Sequence, residues 1–225
     1  MHMVLHIDGS RRVAPKGTFA DKPRWMDALG WGLVALTNNH MVELSGAVPV
    51  PANASGMHEM LALVEAVRFI QAAKTRFEDV TIFTDDEVVA YAAQALHPDN
   101  FSQLAAERVR TSLALVCKLV GDTALEKAAL TCLMTSRFVK LKAHRFLVYH
   151  NRADYLSSQA SLGLIGKPVK LLAYDDWLAQ GFLYHEAVTG PQALVSALLV
   201  QAVSVGSCCL ISCPEPTGSG HFQFG

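Results

Sequence analysis

Two apolar runs in this chain end on an aspartate, and a carboxylate in that position has no packing role. Val4-Leu5-His6-Ile7 runs into Asp8-Gly9-Ser10, and Val80-Thr81-Ile82-Phe83-Thr84 runs into Asp85. Two further acids fall at the starts of helical stretches. Glu59 opens His58-Glu59-Met60-Leu61-Ala62-Leu63, and Asp154 lies in His150-Asn151-Arg152-Ala153-Asp154-Tyr155-Leu156. Carboxylates brought together repel one another, so a cluster of four makes sense when a hard divalent cation neutralises it. Oxygen donors are what Mg²⁺ takes. Taken singly, Glu59 and Asp154 also fit as solvated first-turn charges that complement a helix dipole. The strand-end aspartates have no such alternative.

The order of elements decides whether the four meet. A first strand covers about 2–8, with Met3, Leu5 and Ile7 on one face. A polar segment over 10–29 follows, holding Arg11, Arg12, Lys16, Lys22 and Arg24 together with Trp25. Two strands, 30–36 and 41 onward, flank the turn residues Asn38-Asn39 and predict an antiparallel hairpin. Met60, Leu63, Val64, Val67 and Ile70 then keep a helical period. A fourth strand at 79–84 is followed by helices over 86–96 and 101–119. Another helix is opened by Thr123 and Glu126 at the spacing of a capping box. A fifth strand at 137–144 and a helix from about 151 complete the series. Three consecutive strands predict a meander and helix-linked strands predict parallel pairing, giving a mixed five-stranded α/β sheet flanked by helices. Strands 1 and 4 become central neighbours, with Asp8 and Asp85 near their carboxyl ends, where open α/β sheets place their sites.

On these residues the chain resembles the type 1 ribonucleases H. The resemblance rests on Asp8-Gly9-Ser10, on His58-Glu59-Met60-Leu61-Ala62, on Thr84-Asp85, and on Lys142-Ala143-His144 through Ala153-Asp154-Tyr155-Leu156. His144 stands ten residues before Asp154, the family's distance between its flexible histidine and its last aspartate. It covers about residues 1–162 and implies a ribonuclease H-like catalytic domain there. It also implies an endonuclease that hydrolyses the RNA strand of an RNA–DNA hybrid with two Mg²⁺ ions, Mn²⁺ being a possible substitute. By similarity Asp8 would bridge the two ions, Asp154 would help hold the ion that activates water, and Glu59 and Asp85 would hold the other. His144 would position water or aid product release.

Substrate contacts are expected from Ser10, Arg11, Arg12, Asn53, Ser55, Lys140, Lys142 and Asn151. The stretch from Arg137 to Arg152 holds Arg137, Lys140, Lys142, Arg145 and Arg152 with no acid among them. Lys140, Lys142 and His144 share one face of the expected strand, suited to phosphate or to an ordinary solvated face. The chain departs from the family in lacking asparagines just before Glu59, where Ser55-Gly56-Met57-His58 stand. His150 occupies the place four before Asp154 where the family commonly has asparagine. Other readings of the same acids are a nuclease of the wider fold acting on DNA or other nucleic acid, and a non-catalytic binding module.

A net charge of −1 gives no global attraction to nucleic acid, so binding must be local. The hydrophobic fraction of 51% points to an ample core plus apolar surface for a further contact. Residues 163–225 are expected to be an extension: a short extended piece at 169–173, a small helix near 175–180, an apolar helix and a disordered tail. The stretch 187–214 has no charged residue but carries several polar ones and no flanking anchors, so a packed or dimerising helix is expected rather than a membrane span. Five cysteines, an odd number with no leader before them, are expected as reduced thiols in a cytoplasmic protein. Cys208, Cys209 and Cys213 lack the paired spacing of a zinc site.

Overall fold

A computed structural model of the chain describes residues 2–20, 26–37, 40–51, 56–73, 77–97, 99, 101–142, 147–169 and 171–179. The elements are β1 (His2–Val13), β2 (Met26–Leu36), β3 (Met41–Pro51), α1 (Met57–Ala72), β4 (Asp79–Thr84), α2 (Glu87–Leu96), α3 (Gln103–Leu119), α4 (Leu125–Thr135), β5 (Arg137–Lys140) and α5 (Val148–Leu164). The sheet runs β3-β2-β1-β4-β5. The first three strands pair antiparallel, and β1–β4 and β4–β5 pair parallel. This is the mixed, ribonuclease H-like sheet that the resemblance implies.

The strand period of two separates two environments. Met3, Leu5 and Ile7 of β1 join Leu29, Leu33 and Ile82 in the main core, covered by the apolar faces of α1, α3 and α4. The alternate residues of β1 and β2 face α5, where Val34, Ala153 and Leu156 form a small apolar patch. The rest of that side is polar and buried: His6, Asp8, Arg152, Ser157 and Ser161.

Glycines set how closely the helices approach. A Cβ on Gly32 would stand 2.0 Å from the Ala153 carbonyl oxygen, and one on Gly30 would stand 2.1 Å from that of Ser157. A Cβ on Gly9 would meet the His58 carbonyl at 2.4 Å. The missing side chains thus let α5 and α1, the helices carrying Asp154 and Glu59, lie directly on the strands. Gly32→Ala should force α5 outward and destabilise the protein by about 1–3 kcal/mol, the usual cost of overpacking. Chemical denaturation of the two proteins measures this.

Several ends differ from expectation. β1 continues past Asp8 because its antiparallel pairing with β2 persists to Val13↔Asp27, so both ends of the expected polar segment, 10–13 and 26–29, are strand. β5 stops at Lys140 because its partner β4 stops at Thr84. Lys142 therefore lies beyond the strand, and His144, expected to share its face with Lys140 and Lys142, lies outside the described residues. The expected capping box is absent too: α4 is capped at Ala124 with no side-chain bond, and the Glu126 N–H donates to the Thr123 carbonyl. α5 begins at Val148, so Asp154 sits in its second turn and is not a first-turn dipole charge.

Arg152 departs furthest from its expected place in a basic stripe. It is 1% exposed. Its Nε and Nη2 donate to Glu43 of β3 at 2.9 and 2.7 Å, and Nη2 also donates to the Leu172 carbonyl at 2.8 Å. The rings of Tyr155, Tyr174 and Trp177 lie 5.2–5.9 Å from the guanidinium. Residues 171–179, which include a helical segment at 174–179, are thereby held against the domain. Among the described residues no helix is long and apolar enough to cross a membrane. The uncharged stretch 187–214, its expected dimer contact, and Cys208, Cys209 and Cys213 lie outside the described residues. Cys117 and Cys132 are buried free thiols.

Candidate metal centre

Parallel pairing of β1 with β4 brings the first two carboxylates together. The register matches Leu5 with Ile82 and His6 with Phe83, and Asp8 and Asp85 stand two residues further along each chain. Asp8 is 6% exposed, faces α5, and accepts from the Ser157 hydroxyl at 2.8 Å. Glu59, also 6% exposed, reaches over from the first turn of α1 and accepts from the Gly9 N–H at 3.1 Å. Asp154 is solvent-exposed on α5.

The acids feel one another. Burial pushes the Asp8 carboxyl up to about 7, the negative charges of Asp154 and Asp85 add to this, and the Ser157 hydrogen bond and His150 oppose it. Burial pushes Glu59 up to about 10, helped by Asp8, Asp86 and Asp85 and opposed by the Gly9 N–H. Asp86, which lies just past the end of β4, belongs to this electrostatic group. It caps α2, with Oδ1 accepting from the Val89 N–H at 2.9 Å.

These shifts fix a pH dependence. Both groups bind protons more tightly folded than unfolded, so their contribution favours folding below the ordinary carboxylate range near 4 and is lost as pH rises through about 7 for Asp8 and about 10 for Glu59. Without divalent ions the protein should melt several degrees lower at pH 8 than at pH 5.5, and Mg²⁺ or Mn²⁺ should restore most of the difference at pH 8. Scanning calorimetry in EDTA and in metal checks both.

The donor set fits such ions. Oxygen ligands are crowded into a buried place where positive charge is the missing element. One nitrogen joins them: His150, in the first turn of α5, lies with Nε2 3.3 Å from Asp85 Oδ1. Asp8, Asp85 and His150 each offer a donor atom within 4.8 Å of the others. A second buried histidine is different in kind. His6 stacks on Phe83 at 4.7 Å, and burial and then His150 lower it to about 3, which keeps it neutral.

The residues expected to touch substrate are dispersed. Ser10 turns inward, its hydroxyl donating to the Ser157 carbonyl at 2.7 Å and standing 3.0 Å from Ser161 Oγ. Arg11 donates from Nε and Nη2 to the buried Asp27. Lys140 pairs with Glu87, Arg12 and Lys142 are exposed, and Asn151 is half-buried in the first turn of α5. Asn53, Ser55 and His144 lie outside the described residues. Sequence reasoning gave Ser157 no part and noted His150 only as a departure. The helical spacing around Asp154 is the signal for both, since one stands four residues before it and the other three after, on the same face of α5.

No protein-family model matches the chain, and no curated protein is similar to it in sequence. Solved structures are similar to it. The N-terminal RNase H domain of rv2228c from Mycobacterium tuberculosis has a TM-score of 0.45 at 14% identity, over 73% of this chain and 96% of that one. RNase H1 from Halobacterium salinarum NRC-1 has a TM-score of 0.41 at 19% identity, over 71% and 97%. The protease–reverse transcriptase of prototype foamy virus has a TM-score of 0.41 at 19% identity, and the match spans 71% of this chain but 20% of that larger one.

Proposed function

We propose that this protein is a metal-dependent endonuclease that hydrolyses the RNA strand of RNA–DNA hybrids, with residues 1–162 as its catalytic domain. What supports the reading is Asp8 and Asp85 standing together where β1 and β4 run side by side, with the charges of Asp154 and Asp85 acting on Asp8 and those of Asp8 and Asp85 acting on Glu59. These four would hold two Mg²⁺ or Mn²⁺ ions. Bound there, such ions supply the charge that makes a water nucleophilic and stabilises the leaving 3′ oxygen.

The chain's own groups orient the acids. The Ser157 hydroxyl fixes one Asp8 oxygen and the Gly9 N–H fixes one Glu59 oxygen, so neither carboxylate needs to reorganise as charge develops. On this account the close seating of α5 on Gly30 and Gly32 keeps the helix that carries Asp154 near Asp8. In this reading His144 positions water or aids product release. Arg12 and Lys142, both exposed, contact phosphates, and Arg11, Lys140, Asn151, Asn53 and Ser55 are further proposed substrate contacts. Replacing Arg12 and Lys142 together by Ala should lower the slope of log affinity against log salt by about 2. Fluorescence anisotropy with a hybrid in EDTA measures it.

The test is a substrate panel with Mg²⁺ or Mn²⁺: an RNA–DNA hybrid labelled on each strand, a DNA duplex and an RNA duplex of the same sequence. Cutting of the RNA strand of the hybrid alone is the expected outcome. Cutting of the DNA duplex would move the assignment to a DNA nuclease of the same fold, and no cutting of any substrate would remove the catalytic reading.

A further inference from the structure

We propose that His150 is a nitrogen ligand of the cation held by Asp8 and Asp85, and that it turns an otherwise all-oxygen site toward Mn²⁺ and similar transition ions over Mg²⁺. The proposal rests on the metal-centre reading above and adds to it a residue and a choice of metal.

The first observation is an orphaned side chain. His150 is 3% exposed, and neither Nδ1 nor Nε2 makes a hydrogen bond within the structure. Among the described residues the only partner of Nε2 is the Asp85 carboxylate, at 3.3 Å, and an imidazole taken out of water without a hydrogen bond is unfavourable unless something else completes it. The second observation is its aim. Nε2 lies 3.3 Å from Asp85 Oδ1, and Asp8 closes the group with a donor atom within 4.8 Å of both. Neighbouring ligands of one octahedral cation stand about 3 Å apart when each is about 2.1 Å from the ion. His150 and Asp85 have about that spacing, and Asp8 stands close enough to join them with a small side-chain adjustment.

The placement comes from the helix. His150 and Asp154 are four residues apart on α5 and so share one face of the helix. Seating α5 on Gly30 and Gly32 brings that face to the strands. An asparagine at 150 would offer an amide oxygen and leave an oxygen-only site suited to Mg²⁺. A neutral imidazole is instead a ligand that Mn²⁺, Co²⁺ and Zn²⁺ accept readily and Mg²⁺ accepts poorly.

The experiment uses the full chain and Mn²⁺ itself. Mn²⁺ binding is titrated by electron paramagnetic resonance for wild type, His150→Gln and Asp8→Asn, and Mg²⁺ affinity is obtained by competition. Pulsed resonance on bound Mn²⁺ then looks for the hyperfine coupling of a directly bonded ¹⁴N. Wild type should show the coupling and His150→Gln should lose it. Mn²⁺ affinity should fall about tenfold in His150→Gln while Mg²⁺ affinity changes by less than about threefold. Mn²⁺ bound by wild type without nitrogen coupling, or with coupling that survives in His150→Gln, overturns the assignment of His150 and leaves the carboxylate site standing. No Mn²⁺ binding by wild type, or binding that Asp8→Asn does not weaken, overturns the carboxylate site and this inference with it.

Discussion

Asp8→Asn should lower metal-dependent cleavage on the order of a thousandfold and, in the same protein without metal at pH 8, raise the melting temperature. The two effects have one cause. Asp8 is buried among like charges, with its carboxyl pushed up to about 7 by burial first and by Asp154 next. Ionising it at pH 8 therefore works against folding. Asn keeps the shape and an acceptor for Ser157 while removing the charge, which relieves up to a few kcal/mol. At about 2–4 °C per kcal/mol for a chain of this size, the gain is several degrees. The same missing charge takes away cation binding and with it several kcal/mol of transition-state stabilisation. Single-turnover cleavage and calorimetry on one preparation read both. A variant that loses activity and stability together would show Asp8 to be structural.

Arg152→Met should destabilise the protein by about 3–5 kcal/mol, because it leaves Glu43 without its partner in a place largely closed to water. That corresponds to a fall in melting temperature on the order of 10 °C. Arg152 is clasped by Glu43, by the Leu172 carbonyl and by three aromatic rings, so its loss should also free residues 171–179 to proteolysis. Adding Glu43→Gln should recover part of the loss, and a double-mutant cycle should return a coupling above about 1 kcal/mol. A phosphate-contacting arginine would behave otherwise, with stability unchanged and affinity for the hybrid lowered.

Arg152 also marks where the sequence stops being informative. A cation among other cations in Arg137–Arg152 looks like part of a binding stripe. Its true partner, Glu43, lies 109 positions away, and no local pattern announces that pairing. The sheet was legible because alternation, turn residues and helical period are local signals, and the parallel pairing of strands 1 and 4 follows from crossover rules. Element ends were less so. β1 runs on to Val13 and β5 halts at Lys140 because a neighbouring strand continues or stops, which the strand's own residues do not encode. Asp8 and Asp85 stood out as strand-end charges with no packing role, and Glu59 and Asp154 joined them through the order of elements. Ser157 and His150 did not, since a serine and a histidine on a helix are ordinary until a carboxylate is found opposite them.

The most direct test of the cation site is anomalous diffraction from crystals of the full chain soaked in Mn²⁺ at pH 8. The expected result is Mn²⁺ density bounded by Asp8, Glu59, Asp85 and Asp154, absent from Asp8→Asn crystals treated alike. Mn²⁺ density elsewhere and none at these four carboxylates, under conditions where the protein cleaves hybrid, would contradict the account.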